Sequence, residues 1–449
     1  MPIGSQESRN LTVSRYNHLV EAQDGSGVLL FNSSTGAMVK IDRGIAAIIS
    51  AGTLDSFEDS VEEQLCAGRF LVPVDLDERL LAFSETMAVW YGSPITQIVV
   101  APTMACNFNC PYCFEGPSKS THSMDSDTIG RTVEFVTRLA RGSSGIALHW
   151  FGGEPLLEVG TVLSSTSSLR DWVEDNRLQF SGSMSTNGFL LTPAIVDKLV
   201  PLGITNATIT LDGPRHMHDQ RRILKGGGGS FARIVDNLKY AVTRMRIAVR
   251  SNVDHMNESS VSDLYSYLVE QGIVGDGQAA FYVSPVDDFN HYPHCMSSAS
   301  FLEFFERWCS MHKAAAGIWI DMPTPSRACM VRRPKAFAVD PDGQLYKCLE
   351  VLGRHDLAVG SVHSNPPISL VSLQRWSMLN PFEALECMNC SFLPSCRGGC
   401  ASRWLQRGEP DCRFGRAYLD SVLRTFNSNY EEAAARLAEG AGSISPQQA

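Results

Sequence analysis

Thirteen cysteines are the residues of this 449-residue sequence with the most chemistry to offer, and ten of them fall into two clusters. The first is Cys106-Asn-Phe-Asn-Cys110-Pro-Tyr112-Cys113, a C-x3-C-x2-C spacing with an aromatic residue before the last thiol. Three thiolates on one tight loop can hold three corners of a cubane iron–sulfur cluster, which leaves the fourth iron open to a small molecule. Zinc is the competing occupant, but a structural zinc site asks for four protein ligands, and this loop supplies three. The second cluster comprises Cys329, Gly343-x4-Cys348, Cys387-x2-Cys390-x5-Cys396-x3-Cys400 and Cys412, seven thiols in all. At four thiols per zinc, one site would stay incomplete. The odd total argues against complete internal pairing, and 13 in 449 lies far below the roughly 8–10% of a disulfide scaffold.

The rest of the composition is ordinary. A hydrophobic fraction of 44% with 19% charged residues describes a globular chain. Thirty-eight basic against 48 acidic residues give a formal charge of −10, which excludes a general nucleic-acid surface. No run of 18 apolar residues exists to span a membrane, and the start, MPIGSQESRN, lacks an export signal. These features predict a cytoplasmic protein whose thiols stay reduced.

The elements that must position the thiols follow from pattern. Short β-type runs broken by Asp-Gly and Thr-Gly over 17–42, then helical stretches near 44–50 and 56–67, predict a small α+β module over 1–93. From Ile95 the pattern alternates. Apolar runs at 95–100, 145–151, 179–185, 206–211, 246–251 and 279–284 read as strands. Helical patterns lie near 125–141, 158–174, 192–201, 231–244, 259–271 and 300–313. Strand–helix units imply a parallel sheet covered by helices. Six of them, over 94–318, predict a partial (β/α)6 barrel in the α/β class rather than a closed eight-stranded one. Residues 319–427 are rich in Cys, Pro, Gly and Arg and poor in periodicity, as where metal replaces a hydrophobic core. Residues 428–449 read as a helix fading into a polar tail.

Polar motifs track the predicted strand ends: Gly152-Gly153-Glu154-Pro155, Ser185-Thr186-Asn187-Gly188, Thr210-Leu211-Asp212-Gly213 and Arg250-Ser251-Asn252. In a parallel barrel these positions converge on one mouth, where such folds carry their active sites. The glycines allow close approach of backbone to a ligand, and the Glu154 carboxylate suits an ammonium group.

CNFNCPYC resembles the signature of the radical S-adenosylmethionine superfamily, and GGEP resembles a second motif of that family. The resemblance implies that Cys106, Cys110 and Cys113 bind a [4Fe–4S] cluster. The open iron would chelate S-adenosylmethionine, and reductive cleavage would yield a 5′-deoxyadenosyl radical that abstracts hydrogen from a substrate. It also implies cofactor contacts from Tyr112 near the adenine, from Gly152, Gly153 and Glu154, from Ser185 and Thr210 to the ribose, from Asn187, Asp212 and Asn252, and from Arg222 to the carboxylate. The seven C-terminal thiols resemble the SPASM extension, which carries two auxiliary iron–sulfur clusters. By that resemblance Cys329, Cys348 and Cys400 hold one, without a fourth cysteine, and Cys387, Cys390, Cys396 and Cys412 hold the other. Cys66 and Cys309 read as packed thiols and Cys295 as a loop thiol; the run Gly226–Gly229 reads as a loop near the mouth.

Auxiliary clusters of this family accept or relay an electron from a substrate radical. That implies oxidative modification of a ribosomally synthesised precursor peptide, by thioether or carbon–carbon cross-linking, with an electron donor such as flavodoxin or ferredoxin. The N-terminal module resembles those that bind a precursor's leader by strand addition. Two alternatives stand beside it. One is formylglycine generation of the sulfatase-maturation type, in which an Asp follows the Cys of the G-x4-C motif; here that residue is Leu349, leaving Glu350, Asp287 or Asp288 as candidate catalytic bases. The other is a non-catalytic multi-zinc adaptor.

Overall fold

The computed structural model describes residues 10–22, 25–54, 57–116, 121–275, 279–287, 292–312, 328–412 and 418–425. The N-terminal module opens with strands β1 (Leu11–Val13), β2 (Asn17–Glu21), β3 (Val28–Asn32) and β4 (Met38–Ile41). Helices α1 (Arg43–Ala51) and α2 (Asp59–Ala67), strand β5 (Leu71–Pro73) and helix α3 (Glu78–Tyr91) follow. Strands β2, β3 and β4 form an antiparallel meander, while β1 pairs with β5. Asp42 caps α1 by accepting from the Ile45 N–H at 2.9 Å. One face of the meander packs Leu30 and Ile41 against Ile49, Leu65 and Phe70. The other face packs Leu29 and Phe31 against Phe392, Leu419 and Leu423 of the C-terminal region. This explains why β3, VLLFN, is apolar throughout rather than alternating: it is covered on both sides.

The six expected parallel strands are present. They are β6 (Ile95–Val100), β7 (Gly145–Trp150), β8 (Gln179–Thr186), β9 (Ile204–Thr210), β10 (Arg246–Val253) and β11 (Ala279–Pro285), paired in sequence order. Their covering helices are α4 (Ser126–Leu139), α5 (Val159–Asp175), α6 (Pro193–Leu199), α7 (Arg215–Arg221), α8 (Phe231–Ala241), α9 (Val261–Glu270) and α10 (Ser298–Met311). Asp125 caps α4 through the Thr128 N–H at 2.7 Å, and Ser297 caps α10 through the Ser300 N–H at 3.0 Å. Ile98, Leu148, Met184, Ile209, Val249 and Phe281 bury the sheet between its helices. This order carries the C-terminal ends of all six strands to one rim.

The C-terminal region departs from the sequence reading. Strands β12 (Ala336–Val339), β13 (Gln344–Tyr346) and β14 (Gly360–Ser361) extend the sheet to nine strands. β12 runs parallel to β6, with Ala336 opposite Gln97 and Val339 opposite Val100. Ala336, Phe337, Val339, Leu345 and Tyr346 belong to the same core as the barrel. The region therefore has a hydrophobic core along this edge, and metal is not its sole support. The expected boundary between barrel and C-terminal region, 318/319, lies outside the described residues, as does the expected C-terminal helix over 428–449. Beyond β14 come the short helices α11 (Leu370–Ser377), α12 (Leu385–Met388), α13 (Leu393–Cys396) and α14 (Ala401–Arg407). The module and this region meet through polar contacts as well. Ser33 Oγ donates to the Ser391 carbonyl at 2.6 Å, and Ser395 Oγ donates to the Ser33 carbonyl at 2.6 Å. No helix among the described residues is long and apolar enough to cross a membrane.

Candidate active site

The loop after β6 carries the three N-terminal thiols. It is pinned from two sides. Gly153 N–H donates to the Thr103 carbonyl at 3.2 Å and Glu154 N–H to the Ala105 carbonyl at 2.9 Å. The Asn109 N–H donates to Ile223 and the Lys225 N–H to Asn107, so the segment after α7 zips onto the loop. The two glycines make the first contact possible. Gly152 has φ +109°, and a Cβ there would sit 2.4 Å from the Thr103 carbonyl oxygen. A Cβ on Gly153 would sit 2.2 Å from that of Ala105. Their smallness serves the approach of this turn to the thiol loop, in addition to lining the cavity.

A cavity of about 230 Å³ opens at the rim of the sheet. Cys106, Cys110 and Cys113 line it, together with Tyr112, Gly152, Gly153, Ser185, Asn187, Thr210, Arg222 and Asn252 from the expected cofactor set. Asn187 Nδ2 donates to Asn107 Oδ1 at 2.6 Å beside Cys106. Ser185 Oγ lies 3.0 Å from His149 Nε2, whose Nδ1 is 2.8 Å from Ser183 Oγ. Burial lowers the pKa of His149 to about 4, so the ring is neutral at ordinary pH.

Two residues of the expected cofactor set do not line this cavity. Glu154 is wholly buried and does not line the cavity. Its Oε1 accepts from Thr186 Oγ1 at 2.8 Å and from the Leu156 N–H at 3.0 Å, and its Oε2 accepts from the Asn187 N–H at 2.7 Å. It ties the ends of β7 and β8 together, and burial raises its pKa against those bonds. Asp212 is also wholly buried behind the cavity wall. It accepts from the Tyr112 hydroxyl and from the Asn252 N–H at 3.0 Å, and it lies 3.8 Å from Arg221 Nε. Arg222 Nη1 donates to the Tyr112 oxygen at 2.9 Å. Burial pushes the Tyr112 pKa well up despite the neighbouring Arg222. Tyr112 thus links the thiol loop to β9 and α7 through one buried polar network.

Thr208 and Arg221 escaped the sequence reading, and Arg250 entered it only as part of the strand-end motif Arg250-Ser251-Asn252. Thr208 and Arg250 line the cavity from β9 and β10, and Arg221 bonds Asp254 at 2.8 Å behind it. The available signal was a charged residue inside the apolar run RIAVRS. Of the candidate bases, Glu350 and Asp287 line the cavity, and Asp287 pairs with Arg403 at 2.5 Å. Asp288 lies outside the described residues.

The donor set fits clusters of iron and sulfide. No disulfide joins the described cysteines. Burial pushes Cys110 up to about 11, opposed by Arg222 and reinforced by the Cys113 and Cys106 charges. Close-packed buried thiols become thiolates only beside a strong cationic centre. In the C-terminal region Cys387, pushed up to about 12 by burial, also feels Cys396, Cys412 and Cys390. Cys348, likewise raised by burial, feels Glu350, Cys329 and Cys400. Cys387 thus has Cys390, Cys396 and Cys412 among its charged neighbours, and Cys348 has Cys329 and Cys400. For a bound small molecule, Arg222 and Arg250 line the cavity with Nε atoms that are buried and find no hydrogen-bond partner among the described residues, as an anion would require.

Comparison with known proteins agrees. The Radical SAM superfamily matches residues 100–268. The radical SAM cyclopropyl synthase TigE of Paramaledivibacter caminithermalis is 21% identical over 63% of this chain, and the serine-type anaerobic sulfatase-maturating enzyme of Klebsiella aerogenes is 23% identical over 66%. The chain spans 66% of the length of TigE, 77% of the Klebsiella enzyme and 38% of a further relative from Synechocystis. Among solved structures, native anSMEcpe with bound AdoMet and Kp18Cys peptide superposes with a TM-score of 0.59 at 16% identity, covering 76% of this chain and all (100%) of that one. Streptococcus suis SuiB bound to precursor peptide SuiA gives 0.53 at 12% identity, covering 89% of this chain and 98% of that one. These structures share the fold. With its thiol loop and rim cavity on one six-stranded sheet, the chain carries a Radical SAM domain matched over residues 100–268, of a superfamily whose enzymes use a [4Fe–4S] cluster and S-adenosylmethionine.

Proposed function

We propose that this chain is a radical S-adenosylmethionine peptide maturase with a SPASM-type C-terminal region holding two auxiliary iron–sulfur clusters. One observation carries the reading: three thiols on one loop face a cavity built from the strand ends of a partial barrel, and two further thiol groups stand beyond it. Cys106, Cys110 and Cys113 would hold the first cluster. When bound, that cluster and S-adenosylmethionine supply a 5′-deoxyadenosyl radical that abstracts a hydrogen atom. The chain's own residues bind and orient. Ser185, Thr208 and Thr210 offer hydroxyls to a ribose, with Ser185 set by neutral His149. Arg222 and Arg250 offer cations to carboxylates, and Phe114 and Phe151, stacked at 6.2 Å, close the apolar side.

The substrate would be a ribosomally made precursor peptide, as SuiB's bound peptide SuiA supports, with a thioether or carbon–carbon bond as product. An external reductant such as flavodoxin or ferredoxin would supply the electron. The leader would add to the meander at β4, whose outer edge pairs with no described strand. Because Asn32 N–H bonds the Ala37 carbonyl, alternation leaves the Met38 and Lys40 N–H groups facing that edge. The Radical SAM match over residues 100–268 speaks against the multi-zinc adaptor. Formylglycine generation keeps support from the Klebsiella relative, while Leu349 supplies an apolar wall where that chemistry would place its base.

Anaerobic purification tests the cluster reading: three clusters require about twelve irons per chain. Co-expression with a neighbouring precursor peptide, read by mass spectrometry, tests the activity. A loss of two hydrogens per cross-link is expected; an unchanged peptide mass alongside abundant 5′-deoxyadenosine would overturn the assignment.

A further inference from the structure

We propose that Arg250 is a specificity residue that binds a carboxylate of the peptide substrate, so that the precursor presents an acidic side chain or its own C-terminal carboxylate close to the position modified. The inference deepens the peptide-maturase reading and rests on it.

Arg250 stands on β10, whose Ile247, Val249, Ser251 and Val253 turn to one side and are buried. Alternation sends Ala248, Arg250 and Asn252 to the other side. In the parallel register Arg250 lies opposite Thr210 on β9 and Tyr282 on β11, and Asn252 lies opposite Ser284. Thr208, Thr210, Arg250 and Asn252 line the rim cavity from these strands. Arg250 thus sets a full positive charge into a wall of hydroxyl and amide groups.

The three arginines around the cavity differ in what answers their charge. Arg221 bonds Asp254 at 2.8 Å and lies 3.8 Å from Asp212. Arg222 donates to the Tyr112 oxygen at 2.9 Å, and the family resemblance gives it the carboxylate of S-adenosylmethionine. Arg250 has no carboxylate partner among the described residues. Its Nη2 donates to Ser284 Oγ at 3.0 Å, and its Nε is buried with no hydrogen-bond partner. Asp287, a carboxylate of the same cavity, is taken by Arg403 at 2.5 Å.

A buried guanidinium donor without a counter-charge is costly, and such a group in a cavity wall calls for a ligand. S-adenosylmethionine brings a single carboxylate, which Arg222 would take. The anion that answers Arg250 therefore belongs to the other molecule the cavity must admit, the substrate. The planar fork of arginine matches a carboxylate through two parallel N–H bonds, and Nε supplies one donor of that fork.

The test offers short randomised N-acetyl peptides to the full-length, anaerobically reconstituted protein in the presence of S-adenosylmethionine. One pool ends in an amide and a second in a free carboxylate, and retained peptides are sequenced by mass spectrometry. Enrichment of Asp or Glu at one position of the amide pool identifies a side-chain source. Preferential retention of the free-acid pool identifies the C-terminus. Either preference should fall about 10-fold or more in Arg250→Gln and survive in part in Arg250→Lys. Affinity for S-adenosylmethionine should stay close to the parent's in both variants, which also shows that they are folded. Peptides retained without any preference for a carboxylate, or with the same preference in parent and Arg250→Gln, would refute the inference while leaving the maturase reading intact. Unchanged peptide selection with S-adenosylmethionine affinity lost in Arg250→Gln as in Arg222→Gln would give Arg250 to the cofactor and refute it equally. A parent protein that retains no peptide overturns the peptide reading and this inference together.

Discussion

The two thiol regions of this molecule are held in opposite ways. The loop carrying Cys106, Cys110 and Cys113 hangs from a strand whose Ile98, Val99 and Val100 are buried in the barrel core. Backbone bonds to the turn at Gly153 and to the segment at 223–225 fix it further. Cys387 and Cys396 instead sit on helices of four residues each, α12 and α13, with Cys390 in the turn between them. Helices that short are not stable on their own. In the first region a buried strand positions the ligands; in the second, short helices docked on the N-terminal meander through Phe392 leave more of the order to a bound cluster, on the proposed reading.

Removing metal should therefore separate the two regions. Cys106→Ala is expected to abolish 5′-deoxyadenosine formation, a loss of at least about 1,000-fold if the cluster is obligatory. Yet it should leave the anaerobic unfolding midpoint within about 0.5 kcal/mol of the parent's, as for a substitution at a partly exposed loop position. A Cys387→Ala/Cys396→Ala protein should lose the second auxiliary cluster and become sensitive to limited proteolysis near α12–α13, with the barrel strands still protected from hydrogen exchange. Equal protection of both regions after iron removal would break the comparison. The barrel would also be expected to keep its circular dichroism after chelation.

The same contrast governs what was legible in the sequence. Metal ligation constrains spacing directly, so C-x3-C-x2-C and the seven C-terminal thiols could be read as ligand sets. Strand–helix alternation is likewise written in periodicity, and the six barrel strands stand at or within two residues of their expected limits. Two kinds of feature were hidden. Helix α7, RHMHDQR, has almost no apolar face, yet it ends beside Arg221 and Arg222, which reach the thiol loop. Strand β12, AFAV, is four apolar residues buried on both faces, a pattern that periodicity cannot distinguish from a loop core. Glu154 and Asp212 lie at the expected strand ends, but their direction is set by partners on other strands, Thr186 and Asn187 for one and Tyr112 and Asn252 for the other.

Asp212 offers the next sharpest cut. It receives Tyr112 and the Asn252 N–H and stands beside Arg221, all within the barrel. Asp212→Asn should leave a buried cation undercompensated, a loss of about 3 kcal/mol in stability. Because Tyr112 lies one residue from Cys113, cluster content should also fall, which iron analysis and the visible absorbance would record. An Asp212→Asn protein with full stability and full iron would mean that the loop is held by its backbone bonds alone.

At neutral pH the smallest effect expected lies at His149, and its sign is fixed by burial. The ring's pKa is lowered to about 4 from an ordinary 6.5, so folding favours the neutral form. Its contribution is complete above pH 6.5 and is lost as the pH falls toward 4, where the unfolded chain binds a proton that the folded one resists. At roughly 1.4 kcal/mol per unit, the full loss lies between about 3 and about 4 kcal/mol. His149→Gln removes the titration while leaving an amide between Ser183 and Ser185. Urea unfolding of the two proteins between pH 7 and 4 should give curves that converge as the wild type loses stability faster. Curves that stay parallel would show that His149 is solvated in the folded state, and that the Ser185 side of the cavity is wetter and less preorganised than the sheet around it.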